Sequence, residues 1–257
     1  MSRVVYGSCM PVTEKLALIQ NRIAAAAQRA GRNPGDITLM AVSKTFPPEL
    51  IREAYSAGLR HFGENRVQEF SAKRDALRDL HGAQWHMIGH LQTNKAAKAA
   101  ELFMTIDSVD SLRLAQKLDD AGQRLGTRLG ALIEINAGGE LAKSGLGFDS
   151  AELERLLRAA PSLKHLEFRG LMTVPPFLDD PEQVRPWFRK LRELRDRIAA
   201  RQLPEVNMNV LSMGMSHDFE VAIEEGSTCV RLGTAIFGDR SLEIELPSGG
   251  IRSDQSG

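Results

Sequence analysis

Short apolar runs alternate with amphipathic segments along nearly the whole chain, and this restricts the fold more than any other feature of the sequence. Strands are expected at 37–43, 60–65, 85–90, 102–108, 129–136, 166–174, 208–215 and 228–233. Between them lie segments with helical spacing or helix start and stop residues. Thr13–Ala30 places Leu16, Ile19, Ile23 and Ala27 on one face and meets Gly31, and Pro48–Ala57 opens on proline and stops before Gly58. Further helices are expected at Arg66–Leu80, Thr93–Ala100, Ser111–Ala121, Ser150–Ala160, Pro181–Arg201 and Ser216–Glu225. Strands separated by helices pair in parallel through right-handed crossovers. Eight such units in 257 residues suit a single α/β chain closed as a (β/α)8 TIM-type barrel. A doubly wound open sheet is the alternative, but no GxGxxG follows the first strand. The barrel is expected over 13–240, with an N-terminal tail at 1–12 and a C-terminal tail at 241–257.

Charge narrows the partners. Thirty-three basic and 33 acidic residues cancel, so no long-range field draws the chain to nucleic acid or to an anionic membrane. No apolar run approaches the roughly 18 residues of a membrane span, and "MSRVVYGSCMPVTEK" lacks the continuous apolar segment expected of a secretory signal. Cys9 and Cys229 form neither a disulfide framework nor a structural metal spacing. A cytoplasmic protein with no nucleic-acid or membrane partner is expected.

In a barrel of this kind the C-terminal strand ends form the functional rim. Here they present Lys44, Asn65, His90, Asp107 or Ser108, Asn136, Thr173, the Met213–Ser216 loop and Gly233–Thr234. Lys44 ends an interior strand in "LMAVSKTFPPE". To attack a carbonyl it must be neutral, which from an ordinary pKa near 10.4 is about 4.6 kcal/mol uphill at pH 7. Burial or a neighbouring cation removes much of that difference. Position alone allows a Schiff-base lysine or one that reaches out to solvent.

A second signal is the pair of loops after the last two strands. Ser216 falls where an N-cap is expected, and Gly233 and Thr234 close the final strand. Small residues and hydroxyls in these two loops suit a phosphate. Arg231 is the third signal. Alternation in "CVRLG" sets Val230 and Leu232 outward and Arg231 inward, where it needs a partner. That partner is either Glu134, as a structural ion pair, or an aromatic nitrogen or anion of a ligand. Asn65 and Glu64 sit at a strand–helix junction where capping is routine. His86 and His90 share a face if one strand runs through both, without a third metal ligand. Lys143 sits in the "GELAKSGL" loop, and Met172, Met208, Met213 and Met215 suit packing.

The ordered series "AVSKTFP", "HFGENRVQE", "WHMIGHLQTNK", "KSGL", "RGLMTVPP" and "LSMGMSHDFEVAIEEGSTCVRLGTAIFG" closely resembles the pyridoxal phosphate homeostasis family, from about residue 39 to 240. That resemblance implies a barrel like the N-terminal domain of alanine racemase (fold type III) with pyridoxal 5'-phosphate (PLP) in its mouth. It implies that Lys44 carries PLP covalently and that Ser216, Gly233 and Thr234 hold its phosphate, with Ser212 and Gly214 as second contributors. Arg231 would face the pyridine nitrogen, Asn65 and Met213 would lie near the ring, and Lys143 would make a secondary contact. The implied role is a carrier that buffers PLP and delivers it to apo-enzymes.

The first alternative is a PLP-dependent racemase or lyase. Two-base racemisation needs an acid–base group opposite the lysine, usually a tyrosine from an added domain, and the chain has only Tyr6 and Tyr55. Without a second domain to shape a dimeric site, a monomer is expected. An arginine is also too weak an acid to protonate the ring nitrogen, although alanine racemase works with one. The second alternative is a phosphosugar-metabolising barrel, which predicts a colourless protein.

Overall fold

A computed structural model describes residues 10–139 and 144–238. Eight parallel strands close in sequence order: β1 (Thr38–Val42), β2 (His61–Glu64), β3 (Gln84–Met87), β4 (Thr105–Val109), β5 (Leu129–Glu134), β6 (Leu166–Met172), β7 (Val206–Ser212) and β8 (Cys229–Leu232). β8 returns to β1 with Met40 opposite Arg231, so no strand is left as an edge. Around them run α1 (Val12–Arg29), α2 (Pro48–Ser56), α3 (Val67–Lys73), α4 (Ala96–Leu102), α5 (Leu112–Leu125), α6 (Ala151–Ala159), α7 (Arg185–Ala199), α8 (Phe219–Glu224) and α9 (Thr234–Phe237).

Local chemistry explains many of the boundaries. Ser111 and Ser150 cap α5 and α6 by accepting the backbone N–H of Leu114 and Leu153, each at 3.2 Å. Gly126 ends α5 in the left-handed conformation at φ +63°. The outward strand positions, among them Ala41, Phe62, Trp85, Ile106, Ala131, Phe168 and Val230, bury against the helices as one core.

The expected Thr93–Ala100 helix opens with a 3-10 turn at Thr93–Lys95, and three others are shortened, each for a nearby reason. Arg66–Leu80 breaks after Lys73 into a 3-10 turn at Asp75–Leu77, where Arg52 of α2 engages the Ala76 carbonyl and the Asp79 carboxylate. Pro181–Val184 is a 3-10 turn before α7, because Pro186 is tolerated only in a helix's first turn. The expected Ser216–Glu225 helix begins only at Phe219. The Asp218 carboxylate accepts the Met215 N–H at 2.6 Å and holds 215–218 as a turn, so Ser216 is not the N-cap. At the N-terminus Val12, placed in the expected tail, is buried in α1. Residues 1–9 and 239–257, with most of both expected tails, lie outside the described residues, as do Cys9 and Tyr6.

The barrel's interior is divided in two. A Cβ on Gly63 would lie 2.8 Å from the Ile88 Cδ1 and 2.9 Å from the Met40 Sδ. The missing side chain leaves room over Gly63 for Met40 of β1 on one side and Ile88 just past β3 on the other. Below them, at the N-terminal strand ends, is a cavity of about 290 Å³ lined by Met40, His61, His86 and Asp107. Above them a larger one opens at the C-terminal ends.

Candidate functional site

The upper cavity measures about 710 Å³, and its walls include Lys44, Asn65, His90, Glu134, Met215 and Arg231. β1 is apolar up to Val42, and the chain then turns sharply through Lys44 and Thr45 before Pro47 and Pro48 start α2. Thr45 sits at φ +65°, a conformation that a β-branched residue adopts at a cost of about 1–3 kcal/mol. The turn is tied from behind. The Lys73 Nζ donates to the carbonyls of Ser43 (2.9 Å) and Phe46 (3.4 Å), one on each side of Lys44–Thr45. The same ammonium pairs with the Glu64 Oε1 at 2.8 Å, and the Ser43 hydroxyl donates to that oxygen at 2.5 Å. Glu64 is fully buried, which pushes its carboxyl up, and the nearby Lys73 charge opposes that shift.

Arg231 points inward as alternation requires and is 4% exposed. Of the two partners allowed by the sequence, the Glu134 ion pair is not formed. Nη1 donates to the Ser212 hydroxyl and Nη2 to the Thr173 carbonyl, each at 2.7 Å, and no salt bridge to Glu134 forms. Burial pulls the guanidinium below its usual value, with surrounding carboxylates acting against it. Two neutral acceptors fix its plane while it remains on the cavity wall.

Next to β1 on the rim, the loops after β7 and β8 meet. The Thr234 hydroxyl lies 3.4 Å from that of Ser216, although they stand 18 positions apart in the chain. Gly214 makes the first loop possible. It sits at φ +97°, and a Cβ there would come within 2.6 Å of the Ala222 Cβ and 3.0 Å of the Phe219 Cα. Gly214→Ala is therefore expected to destabilise the protein by about 2–4 kcal/mol in urea unfolding. An unchanged midpoint would show that the loop relaxes without strain.

The structure brings Lys44, Asn65 and Arg231 onto one cavity and Ser216 and Thr234 together at one rim. Gly233 follows β8 and precedes α9. Ser212 is wholly buried against Arg231. Met213, expected near a ligand ring, is wholly buried in the core, and its neighbour Met215 lines the cavity instead. Asp107 is not a rim residue. It lies midway along β4 and faces the lower cavity, 3.4 Å from His86, which in turn lies 3.1 Å from His61. β3 stops at Met87, so the two histidines separate, and His90 pairs with Asp110 at 3.1 Å in the upper cavity. Among the described residues no group of three or more His, Cys, Asp or Glu side chains could hold a metal. Lys143 lies outside the described residues. The Ser43–Glu64–Lys73 network was not visible to sequence reasoning, because Lys73 looks like any helix-surface lysine. Inward alternation in "ALIEIN" did point to Glu134, which sequence reasoning read only as a partner for Arg231.

The family model for the alanine racemase N-terminal domain matches residues 15–241. The chain is 47% identical over 231 residues to the pyridoxal phosphate homeostasis protein of Aquifex aeolicus, covering 90% of this chain and 99% of the relative. The protein of the same name from Escherichia coli K12 is 43% identical over 231 residues, covering 89% and 97%. Among solved structures, PipY of Synechococcus elongatus with PLP bound superposes with a TM-score of 0.77 at 38% identity, covering 88% of this chain and all of that one. Alanine racemase from Streptomyces coelicolor shares the fold, with a TM-score of 0.67 at 21% identity over 87% of this chain and 58% of its own.

Proposed function

This chain belongs to the alanine racemase N-terminal domain family and, within it, to the pyridoxal phosphate homeostasis proteins, and from that premise we propose that it holds PLP in the barrel mouth and hands it to apo-enzymes. The observation that carries the reading is one cavity with a half-buried lysine and a buried arginine on its wall, and the Ser216–Thr234 hydroxyl pair next to its wall residue Met215. At about 710 Å³ it falls in the roughly 300–1,000 Å³ range of small-molecule sites. When bound, PLP supplies an aldehyde that forms a reversible carbon–nitrogen bond and a ring that accepts electrons.

Lys44 would hold the aldehyde carbon, and its turn is stapled by Lys73. The Ser216 and Thr234 hydroxyls, with the backbone at Gly214 and Gly233, would receive the phosphate. Arg231 would face the pyridine nitrogen, held by Ser212 and the Thr173 carbonyl. Asn65 would flank the ring from the wall, and Met215 takes the place first given to Met213.

Replacing Ser216 by alanine and Thr234 by valine together should lower PLP affinity about 10²-fold or more, since hydrogen bonds to charged groups contribute about 1.5–3 kcal/mol each. Affinity for pyridoxal, which lacks the phosphate, should change by less than about threefold. Equal losses for both ligands in equilibrium titrations would move the phosphate elsewhere.

A carrier rather than a racemase is favoured by the one tyrosine among the described residues. Tyr55 lies on the outer helix α2, where its hydroxyl donates to the His81 carbonyl, remote from the mouth. Purified protein incubated with PLP should turn yellow, and borohydride should fix the cofactor on Lys44. Incubating the loaded protein with single-enantiomer amino acids should leave optical rotation constant. Turnover without added enzyme would overturn the carrier reading, and a colourless protein that takes up no PLP would overturn the site.

A further inference from the structure

Glu134 closes β5 inside the mouth cavity, and the cofactor assignments above leave it without a role. It is only 7% exposed. Its Oε1 accepts the Ser144 hydroxyl at 2.9 Å, whereas the buried Oε2 accepts no hydrogen bond among the described residues. Arg231 does not serve it, because that guanidinium is held by Ser212 and Thr173. Burial pushes the Glu134 carboxyl up. The Asp110 charge adds to the rise, while Ser144, His90 and Arg231 oppose it. Leaving a buried acceptor unpaired is unfavourable, so this oxygen marks a place for a donor.

The surroundings select which donor. The wall's charges do not by themselves choose a sign, since Lys44 and Arg231 share it with Glu134 and Asp110 is paired with His90; the unpartnered carboxylate oxygen itself calls for an N–H or O–H donor. A metal ion would lack ligands, because no group of three metal-ligating side chains forms among the described residues. A primary ammonium brings charge and N–H donors in a small volume. It also shares the cavity with the one residue, Lys44, whose nitrogen it could replace.

We propose that Glu134 receives the ammonium group of an incoming primary amine and takes its proton, so that the amine displaces Lys44 from the cofactor's aldehyde carbon. This rests on the covalent reading of Lys44 given above. The exchange balances without oxidant or reductant. The neutral amine's lone pair forms the new bond to carbon while the bond from carbon to the Lys44 Nζ breaks and its electrons return to Nζ. The two hydrogens of the amine finish on Nζ, and the proton held by Glu134 then makes Lys44 an ammonium. A carboxyl raised toward neutrality by burial suits a group that must both take and return a proton. The release of bound cofactor then depends on the supply of small primary amines.

The test compares two nucleophiles on the PLP-loaded protein by stopped-flow absorbance at pH 7. Ethylamine arrives as an ammonium, and methoxyamine arrives uncharged. Glu134→Gln should slow the loss of the lysine-bound absorption by at least about tenfold with ethylamine, yet by less than about twofold with methoxyamine. Equal slowing of both, or of neither, overturns the proposal. A second measurement needs no cofactor: calorimetric titration of the PLP-free wild-type protein with ethylammonium chloride should show saturable binding that Glu134→Gln abolishes. Absence of saturable binding to the wild type overturns the subsite even if the variant folds poorly. Failure of the wild type to take up PLP would instead sink the cofactor reading, while the titration still judges the subsite.

Discussion

Lys44→Ala protein incubated with PLP is expected to lack the lysine-bound visible absorption, and borohydride treatment should leave no cofactor on the chain. The effect should be complete, because a covalent bond has no partial substitute. Stability should scarcely change. Lys44 follows the end of β1 at the cavity wall, and the Glu64–Lys73–Ser43 contacts that shape its turn do not pass through its side chain. A half-exposed side chain at such a position contributes within about 0.5 kcal/mol, or roughly 1–2 °C in a melting scan. Cofactor still fixed to the variant by borohydride would assign the bond to another nitrogen. A melting point lowered by 10 °C would instead make Lys44 part of the fold.

The largest stability effect is expected at a residue outside the cavity. Lys73→Met leaves the wholly buried Glu64 without its counter-charge, and breaking one side of a buried pair costs about 3–5 kcal/mol. For a chain of this length that corresponds to a fall on the order of 10 °C. Loss of the ties to the Ser43 and Phe46 carbonyls should also loosen the strained turn at Thr45, so PLP affinity should fall with stability.

The pH dependence has a definite sign. The folded state raises the Glu64 carboxyl above its unfolded value, so it binds that proton more tightly than the unfolded chain does. The group's contribution is therefore fully present below the unfolded carboxylate range and is lost as pH rises through the folded value. Without Lys73 the rise is larger, so the variant should be closest to wild type in acid and fall further behind toward neutral pH. Chemical denaturation of both proteins between pH 4 and 8 measures this. A constant difference across that range would show that Glu64 does not titrate in it.

These outcomes separate what was legible in the chain from what was not. The period-2 and period-3.6 patterns are local, so the eight strands and their helices could be read from hydrophobicity alone. Lys44 was legible because proline and a turn end its strand, and Arg231 because Val230 and Leu232 claim the other face. The Arg231 partners were not legible, since Ser212 lies 19 positions away and Thr173 lies 58 away, and nothing in β8 ranks them against Glu134. Met213 is buried in the core and Met215 lines the cavity because Gly214, at φ +97°, turns the loop between them. Lys73 is a helix residue whose pairing partner, Glu64, sits on the preceding strand, so no motif announces the network.

By itself the sequence determined the barrel class, the inward face of the last strand and the lysine at the first strand's exit, because each follows from interactions among neighbours in the chain. Only the tertiary structure decided how deep each inward residue lies. That depth sent His86 and Asp107 to the lower cavity and His90 and Glu134 to the mouth. The reason is register: strand ends and bulges, such as the shift between Ile106 and Val109 against β5, are set by hydrogen bonds between remote segments, and alternation specifies a side without specifying a height.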